Sequence, residues 1–257
     1  MTRALLKAFR QAASPHGRRK SGLSLCEGRR CGGELLRRHP EWVQAVVATE
    51  RCRDPDLLEA ANSANAPAEI VSEPTLAEVC VTENPQGVAV LFQPPPLRTP
   101  QSPPADPYLL VLDGVSDPGN LGTILRTAWA VGLREVCLLQ GSADPWSPKS
   151  VRAGMGAQFA VRIARLADLC ELRTWLHSAD WDPPWLTVPN GGVNVFSEDF
   201  APEHSALVIG GEAHGVSDPA AGRQVTLPMP GDAESLNAAQ AATVFLFETL
   251  RRNILHS

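Results

Sequence analysis

Apolar runs of four or five residues recur along this chain. Val88 to Phe92, Tyr108 to Leu112, Val136 to Leu139, Trp185 to Val188 and Ala206 to Ile209 have the length of buried strands and are too short for buried helices. Gln158 to Ile163 and Val225 to Leu227 predict two more strands. Between them the pattern turns helical over Leu121 to Val131, where Gly132 supplies a stop, over Pro148 to Ala157, and over the amphipathic stretch Leu166 to Ser178. An alanine-rich helix begins at about Ser235 and continues its apolar stripe through Leu246 and Leu250, four apart. Strand and helix thus alternate from Tyr108 onward, which predicts an α/β fold with a mostly parallel sheet covered on both faces.

Upstream the elements are shorter. Leu5 to Ala12, Gly32 to Arg38 and Leu57 to Ala61 predict helices, and Trp42 to Ala48 and Glu69 to Val71 predict strands. Ser72 followed by Pro74 has the form of a capped helix start. The segment QPPPLRTPQSPPADP, residues 93–107, holds seven prolines and forms neither helix nor central strand, so it is expected to be a semi-rigid extended linker. Residues 1–92 then form a small α/β domain and residues 108–257 a larger one. The larger one lacks the G-x-G-x-x-G turn of a conventional dinucleotide fold.

Two strand ends and a helix start converge late in the chain. Ala206 to Ile209 breaks at Gly210 and Gly211, and Val225 to Leu227 meets Pro228 and Pro230, which cannot donate to a sheet ladder. Ligands of open α/β sheets bind at such carboxyl ends. Ser235 reads either as the N-cap of the last helix or, with Asn237, as a polar group facing that loop. Asn120 likewise reads as a cap of the helix from Leu121 or as a substrate contact, and Arg126 as a solvated helix residue or a partner in the same site.

The residues around these positions resemble the motifs of the SpoU (TrmH-type) RNA 2'-O-ribose methyltransferases, of the SPOUT superfamily. DGVSDPGNLGTILRTA, residues 113–128, is similar to their first motif, GGEAHGVS to the second and LPMPGDAESLNAAQAA to the third. ADPWSPKSVRAGMGA, residues 143–157, resembles their intermediate segment, with Gly154 where a serine is common. The resemblance implies a sheet with a carboxyl-terminal trefoil knot, preceded by a small substrate-binding domain like a ribosomal-protein α/β sandwich. It implies a homodimer, and S-adenosylmethionine held by knot-loop backbone at Gly210, Leu227 and Leu236. Asn120, Glu212, Ser235 and Asn237 form the polar shell, and Arg126 is the family's proposed catalytic residue. No metal is required, because the sulfonium already makes the methyl electrophilic.

Charge locates the RNA. The net charge is −5, yet residues 1–53 carry a balance of +8 and the remainder −13. The basic end is therefore the expected RNA-facing part, with Arg18, Arg19, Arg29 and Arg30 as its densest patch. Lys149 and Arg152, three apart on one helix face, offer a second phosphate contact or a solvated basic face. Ribosomal RNA stands ahead of tRNA, since the amino-terminal domain resembles that of the rRNA enzymes. Six cysteines without C-x-x-C spacing suit a reducing cytoplasm, and no apolar run is long enough to span a membrane. Three rival readings are a transit peptide over Met1 to Lys20, a base methyltransferase on the same type of fold, and a non-catalytic RNA-binding or assembly factor.

Overall fold

The computed structural model describes residues 1–52, 55–103, 105–232 and 234–252, residue 56 by its backbone only. It divides into two compact units, Met1–Pro96 with Asp144–Ala160, and Leu97–Ala143 with Val161–Ser257.

The first unit contains α1 (Arg3–Ala13), α2 (Pro15–Ser21), β1 (Ser24–Glu27), α3 (Arg29–Arg38), β2 (Val43–Thr49), α4 (Pro55–Ser63), β3 (Ala68–Val71), α5 (Glu73–Val79) and β4 (Val88–Phe92). Its sheet has the order β1-β4-β2-β3, with β1 and β2 antiparallel to β4 and β3 parallel to β2. The period of two divides the central strands between two layers. Ala45, Val47, Ala89 and Leu91 join Phe9 and Ala12 of α1 and Leu76 and Val79 of α5 in one core. The intervening Val46, Ala48, Val88 and Val90 are equally buried. On their side Gly32 of α3 comes so close that a Cβ there would stand 3.0 Å from Val90. Ser72 does cap α5, accepting from the Thr75 N–H at 3.3 Å.

The second unit opens with β5 (Leu109–Asp113), α6 (Pro118–Val131) and β6 (Glu135–Leu138). The chain then contributes α7 (Pro148–Gly154) and a 3₁₀ turn at Ala157–Phe159 to the first unit. The strand expected over Gln158 to Ile163 is thereby corrected. Phe159 is held by edge-on contacts with Phe92 and Trp42, at 5.4 and 6.4 Å between ring centroids, and Gln158 donates to the Ser150 carbonyl at 2.7 Å. A serine at Gly154 would bring its Cβ to 2.3 Å from that buried Gln158 amide, so glycine and glutamine suit each other here. Trp146 packs on the same rings, 5.9 Å from Trp42 and 6.4 Å from Phe92.

The second unit resumes with β7 (Arg162–Arg165), α8 (Leu169–Ser178), β8 (Trp185–Thr187), β9 (Val193–Asn194), β10 (Ala206–Gly210), β11 (Arg223–Thr226) and α9 (Ala238–Arg251). Seven strands lie in the order β7-β6-β5-β10-β8-β11-β9, and every pairing is parallel. From β5 the chain builds outward on one side through β6 and β7, and fills the other side later. The β5/β10 seam is therefore the switch point of the sheet, where ligand crevices form. Leu109, Val111, Ala206 and Val208 share one face with Leu172 and Leu176 of α8. The other face is closed by α6 and α9, which pack together. The proline-rich segment is extended but does not stand free. Arg98 bridges to Ala164 of β7, and the Trp175 indole donates to the Pro100 carbonyl at 3.1 Å.

The last turn of α9 is fastened by one carboxylate. Glu248, 5% exposed, accepts from Arg251 at 2.7 and 2.8 Å and from Arg252 at 2.6 Å. Arg252 in turn donates to the Ser197 and Phe200 carbonyls at 3.0 and 3.1 Å, tying the helix to the loop after β9. The hydrogen-bonded Arg251 guanidinium, with that of Arg252 beside it, holds the Glu248 carboxyl down at about 2. A carboxyl depressed on folding contributes stability above its unfolded pKa and loses it as pH falls through the folded one. Glu248→Gln should therefore lower the unfolding free energy at pH 7 by about 1–3 kcal/mol. In urea titrations the difference from the parent should shrink as pH falls from about 4.5 toward 2.

Candidate active site

The ends of β5, β8, β10 and β11 meet in one place. Beyond Gly210 the chain makes a tight loop from Gly211 to Gly215, closed by the Gly215 N–H donating to the Gly211 carbonyl at 2.9 Å. This loop is pinned to the end of β5. The Gly211 N–H donates to the Asp113 carbonyl at 2.9 Å, and the buried Asp113 carboxylate accepts from the Ser217 N–H at 2.7 Å. At the end of β8, Thr187 Oγ1 accepts from the Gly210 N–H at 3.3 Å. Thr226, ending β11, donates to the Pro189 carbonyl at 3.1 Å and holds the two following loops together.

These loops enclose a cavity of about 890 Å³. Its walls are residues 187–191 after β8, 209–215 after β10, and 226–229, 231, 232 and 234–236 before α9, with Ala238, Ala241 and Phe245 of that helix behind them. Gly210, Leu227 and Leu236, the expected cofactor contacts, all line it, as do Glu212 and Ser235. Volume and lining, main-chain groups with apolar side chains and few charges, suit a nucleoside-sized ligand. The strand end WLTVPNGG supplies Thr187 to Gly191, a wall that the sequence reading left without a role. Its signal was the same as at Gly210, a strand running into proline and glycine.

Three of the expected polar residues form a connected chain. Asn237, not Ser235, is the N-cap of α9, and its Oδ1 accepts from the Ala239 and Gln240 N–H groups at 3.0 and 3.3 Å. The helix accordingly begins at Ala238 rather than near Ser235. With its oxygen engaged, Asn237 turns its Nδ2 to the Asn120 Oδ1 at 3.1 Å. Asn120 then donates through its own Nδ2 to Glu212 Oε1. Asn120 is free to do so because Asp117 caps α6, accepting from the Gly119 and Asn120 N–H groups at 2.7 and 2.9 Å, with Pro118 at the first helical position. Every bond in this chain donates toward the carboxylate, away from the positive end of α9.

Arg126 stands apart from it. Six residues beyond Asn120 on α6, it lies about 9 Å further along the axis and about 120° around the helix. It is exposed, does not line the cavity, and has no ion pair among the described residues. The expectation that Asn120 and Arg126 converge is not met within one chain. The six expected RNA contacts belong to the first unit. Arg19, Arg29, Arg30 and Lys149 are exposed there, and the exposed Arg152 donates to Thr82 at 2.9 Å. Arg18 instead turns inward, its side chain 11% exposed and paired with Asp144 at 3.2 Å, so the basic run is split by the turn of α2.

Glycine at 210 is enforced by backbone. A Cβ there would lie 2.2 Å from the Gly215 carbonyl carbon and 2.3 Å from the Val216 nitrogen, so even alanine must move the 211–215 loop. Gly210→Ala should abolish measurable binding of S-adenosylmethionine in calorimetry while the far-ultraviolet circular dichroism stays that of the parent. Full affinity in that variant would place the cofactor elsewhere.

Comparison with known proteins identifies the family and agrees with the fold. The SpoU rRNA Methylase family model matches residues 107–247, more than half of the chain, and a model for RNA 2'-O ribose methyltransferase substrate binding matches residues 25–97. The chain is 31% identical to a Bacillus subtilis 23S rRNA (guanosine(2553)-2'-O)-methyltransferase, RlmP, over 94% of each protein. It is 32% identical to the mouse mitochondrial rRNA methyltransferase 3 over 65% of this chain, and spans 53% of that longer relative. The crystal structure of the SpoU methyltransferase AviRb from Streptomyces viridochromogenes with AdoMet superposes with a TM-score of 0.84 at 26% identity, covering 98% of this chain and 99% of that one. This chain belongs to the SpoU rRNA methylase family.

Proposed function

We propose that this chain transfers the methyl group of S-adenosylmethionine to a ribose 2'-hydroxyl of RNA, with ribosomal RNA as the substrate. The observation that carries the reading is the Asn237–Asn120–Glu212 chain at the edge of a strand-end cavity. Bound there, S-adenosylmethionine supplies a methyl already activated by its sulfonium. The protein has to hold a hydroxyl in line and let its proton go. Backbone at Gly210, Leu227 and Leu236 holds the cofactor. Glu212 Oε1 is engaged by Asn120, which leaves Oε2 as the acceptor for the ribose hydroxyl. A carboxylate fixed on one oxygen is oriented on the other. Ser235 lines the same cavity and completes the polar shell.

Arg126 is the group we assign to the developing alkoxide or the adjoining phosphate. Its guanidinium stays charged in proteins, so it stabilises negative charge and does not take the proton. Its distance from its own chain's cavity supports a homodimer in which each active site takes Arg126 from the partner. An exposed Phe247 on α9, with 49% of its surface accessible, and Phe196, with 51%, give the second unit apolar surface for such a contact. The trefoil knot is part of the same reading. The chain leaving β11 passes the carboxyl ends of β8 and β10 before α9 joins Asn120, a path that suits a threaded loop. We also infer a division of labour, RNA recognition in residues 1–92 and chemistry in 108–257, and a cytoplasmic place of action, which six free thiols suit.

Mapping 2'-O-methyls in ribosomal RNA from cells with and without the protein tests the substrate, and an unchanged map overturns it. Arg126→Ala should lower the single-turnover rate at saturating RNA by about 100-fold or more while cofactor affinity holds. Co-expressed Arg126→Ala and Gly210→Ala chains should recover about a quarter of the parent's rate, because half the dimers are mixed and one of their two sites is intact. No recovery would place Arg126 and the cavity of its own chain in one site.

A further inference from the structure

The first unit holds a cleft that neither family model covers, since the substrate-binding match begins at residue 25. It lies between α1 and α2, has a volume of about 590 Å³, and is lined by Arg3, Lys7, Arg10, His16 and Lys20 among neutral neighbours. Among the described residues no carboxylate lines it. The first 22 residues contain six Lys and Arg and no Asp or Glu, in a chain whose net charge is −5. The cleft thus gathers four of the first unit's fourteen Lys and Arg, in a protein whose net charge is negative.

Its shape is built in. α1 buries Phe9 and Ala12, which leaves Arg3, Lys7 and Arg10, at spacings of four and three, in a row on the opposite face. That row is about 10 Å long with a cation at roughly each helical turn. α2 is set against it at a fixed angle. Ser14 caps α2, accepting from the Gly17 N–H at 3.1 Å, and Gly17 meets α1 backbone to backbone, with no room for a Cβ, which would lie 2.2 Å from the Gln11 carbonyl oxygen. Arg10 is steadied by Glu78 at 2.8 Å, whereas Arg3, Lys7 and Lys20 are exposed and have no ion pair among the described residues.

A spaced row of cations in an open, rigid cleft fits a polyanion with regularly repeated charge, better than one small anion. We propose that the α1/α2 cleft grips the phosphate backbone of the substrate RNA through Arg3, Lys7 and Lys20. This rests on the RNA methyltransferase reading and names a part of the chain that performs its recognition. Such contacts position the RNA and carry no sequence information.

The test uses the full chain and a labelled 24-nucleotide RNA hairpin of unrelated sequence, with anisotropy measured at several salt concentrations. The triple variant Arg3→Ala, Lys7→Ala, Lys20→Ala should bind at least about tenfold more weakly at low salt. Its log–log salt slope should fall by up to about 2 to 2.7, or 0.7 to 0.9 per lost phosphate contact. Cofactor affinity and the thermal midpoint should match the parent. Parental affinity and slope in the triple variant, or loss of the whole slope in Arg19→Ala, Arg30→Ala instead, overturns the cleft while leaving the methyltransferase reading standing. A parent that binds no RNA overturns both. Equal competition by poly-glutamate of the same charge overturns RNA as the occupant.

Discussion

Two carbonyl-to-glycine approaches set the geometry of the second unit's site. A Cβ on Gly211 would stand 2.1 Å from the Gly114 carbonyl oxygen, and one on Gly210 would collide with the Gly215–Val216 peptide. The loop after β10 can therefore lie against the loop after β5 only because Gly211 lacks a side chain, and can close on itself only because Gly210 does. That contact extends the parallel pairing of β5 with β10 past the last strand residues, through the Gly211 N–H to Asp113 bond. It also brings the loop carrying Glu212 beside the start of α6, where Asn120 waits. Without the close approach the carboxylate and its amide partner would belong to separate loops.

The polarity of the site follows from what sits behind it. Asn237 has one oxygen and one NH₂ group, and the free N–H groups of α9 take the oxygen. The NH₂ can only point outward, which commits the Asn120 oxygen and leaves the Asn120 NH₂ for Glu212. One helix start thus fixes two amide orientations and the direction of a carboxylate. Asparagine is needed at both positions for this. An aspartate at either would present a second acceptor where the chain requires a donor.

Much of the fold could be read from the pattern, because buried strands declare themselves as short apolar runs. β4 has the bounds expected of it, and β5, β8 and β10 lie within one residue of theirs. The misses were local. β1 is four residues, Ser24–Glu27, within a basic run, and α2 was absorbed into the same charge, so Arg18 was counted as surface when it is paired inside the first unit. Asn120 and Ser235 were plausible caps, yet Asp117 before Pro118 and Asn237 before an alanine run hold those posts. Aspartate followed by proline was the available signal. Arg126 shows a limit of another kind. Its motif position is legible, and its spacing was read as compatible with one site, but a residue six places along a helix points about 120° away from Asn120.

The two units differ in charge as well as architecture. The second carries nine Lys and Arg against sixteen Asp and Glu, so its field opposes a nucleic acid. Two of those nine arginines, 251 and 252, are spent on Glu248. A unit of that sign gains little of the counterion-release energy that drives RNA binding, so under the proposed function RNA needs cations from elsewhere. The first unit supplies them with fourteen Lys and Arg, six in its first 22 residues. The excursion of Asp144–Ala160 into that unit means that the chain crosses between the two three times, at Pro96/Leu97, Ala143/Asp144 and Ala160/Val161. The returning segment is anchored inside the first unit, where Trp146 and Phe159 pack on the rings of Trp42 and Phe92.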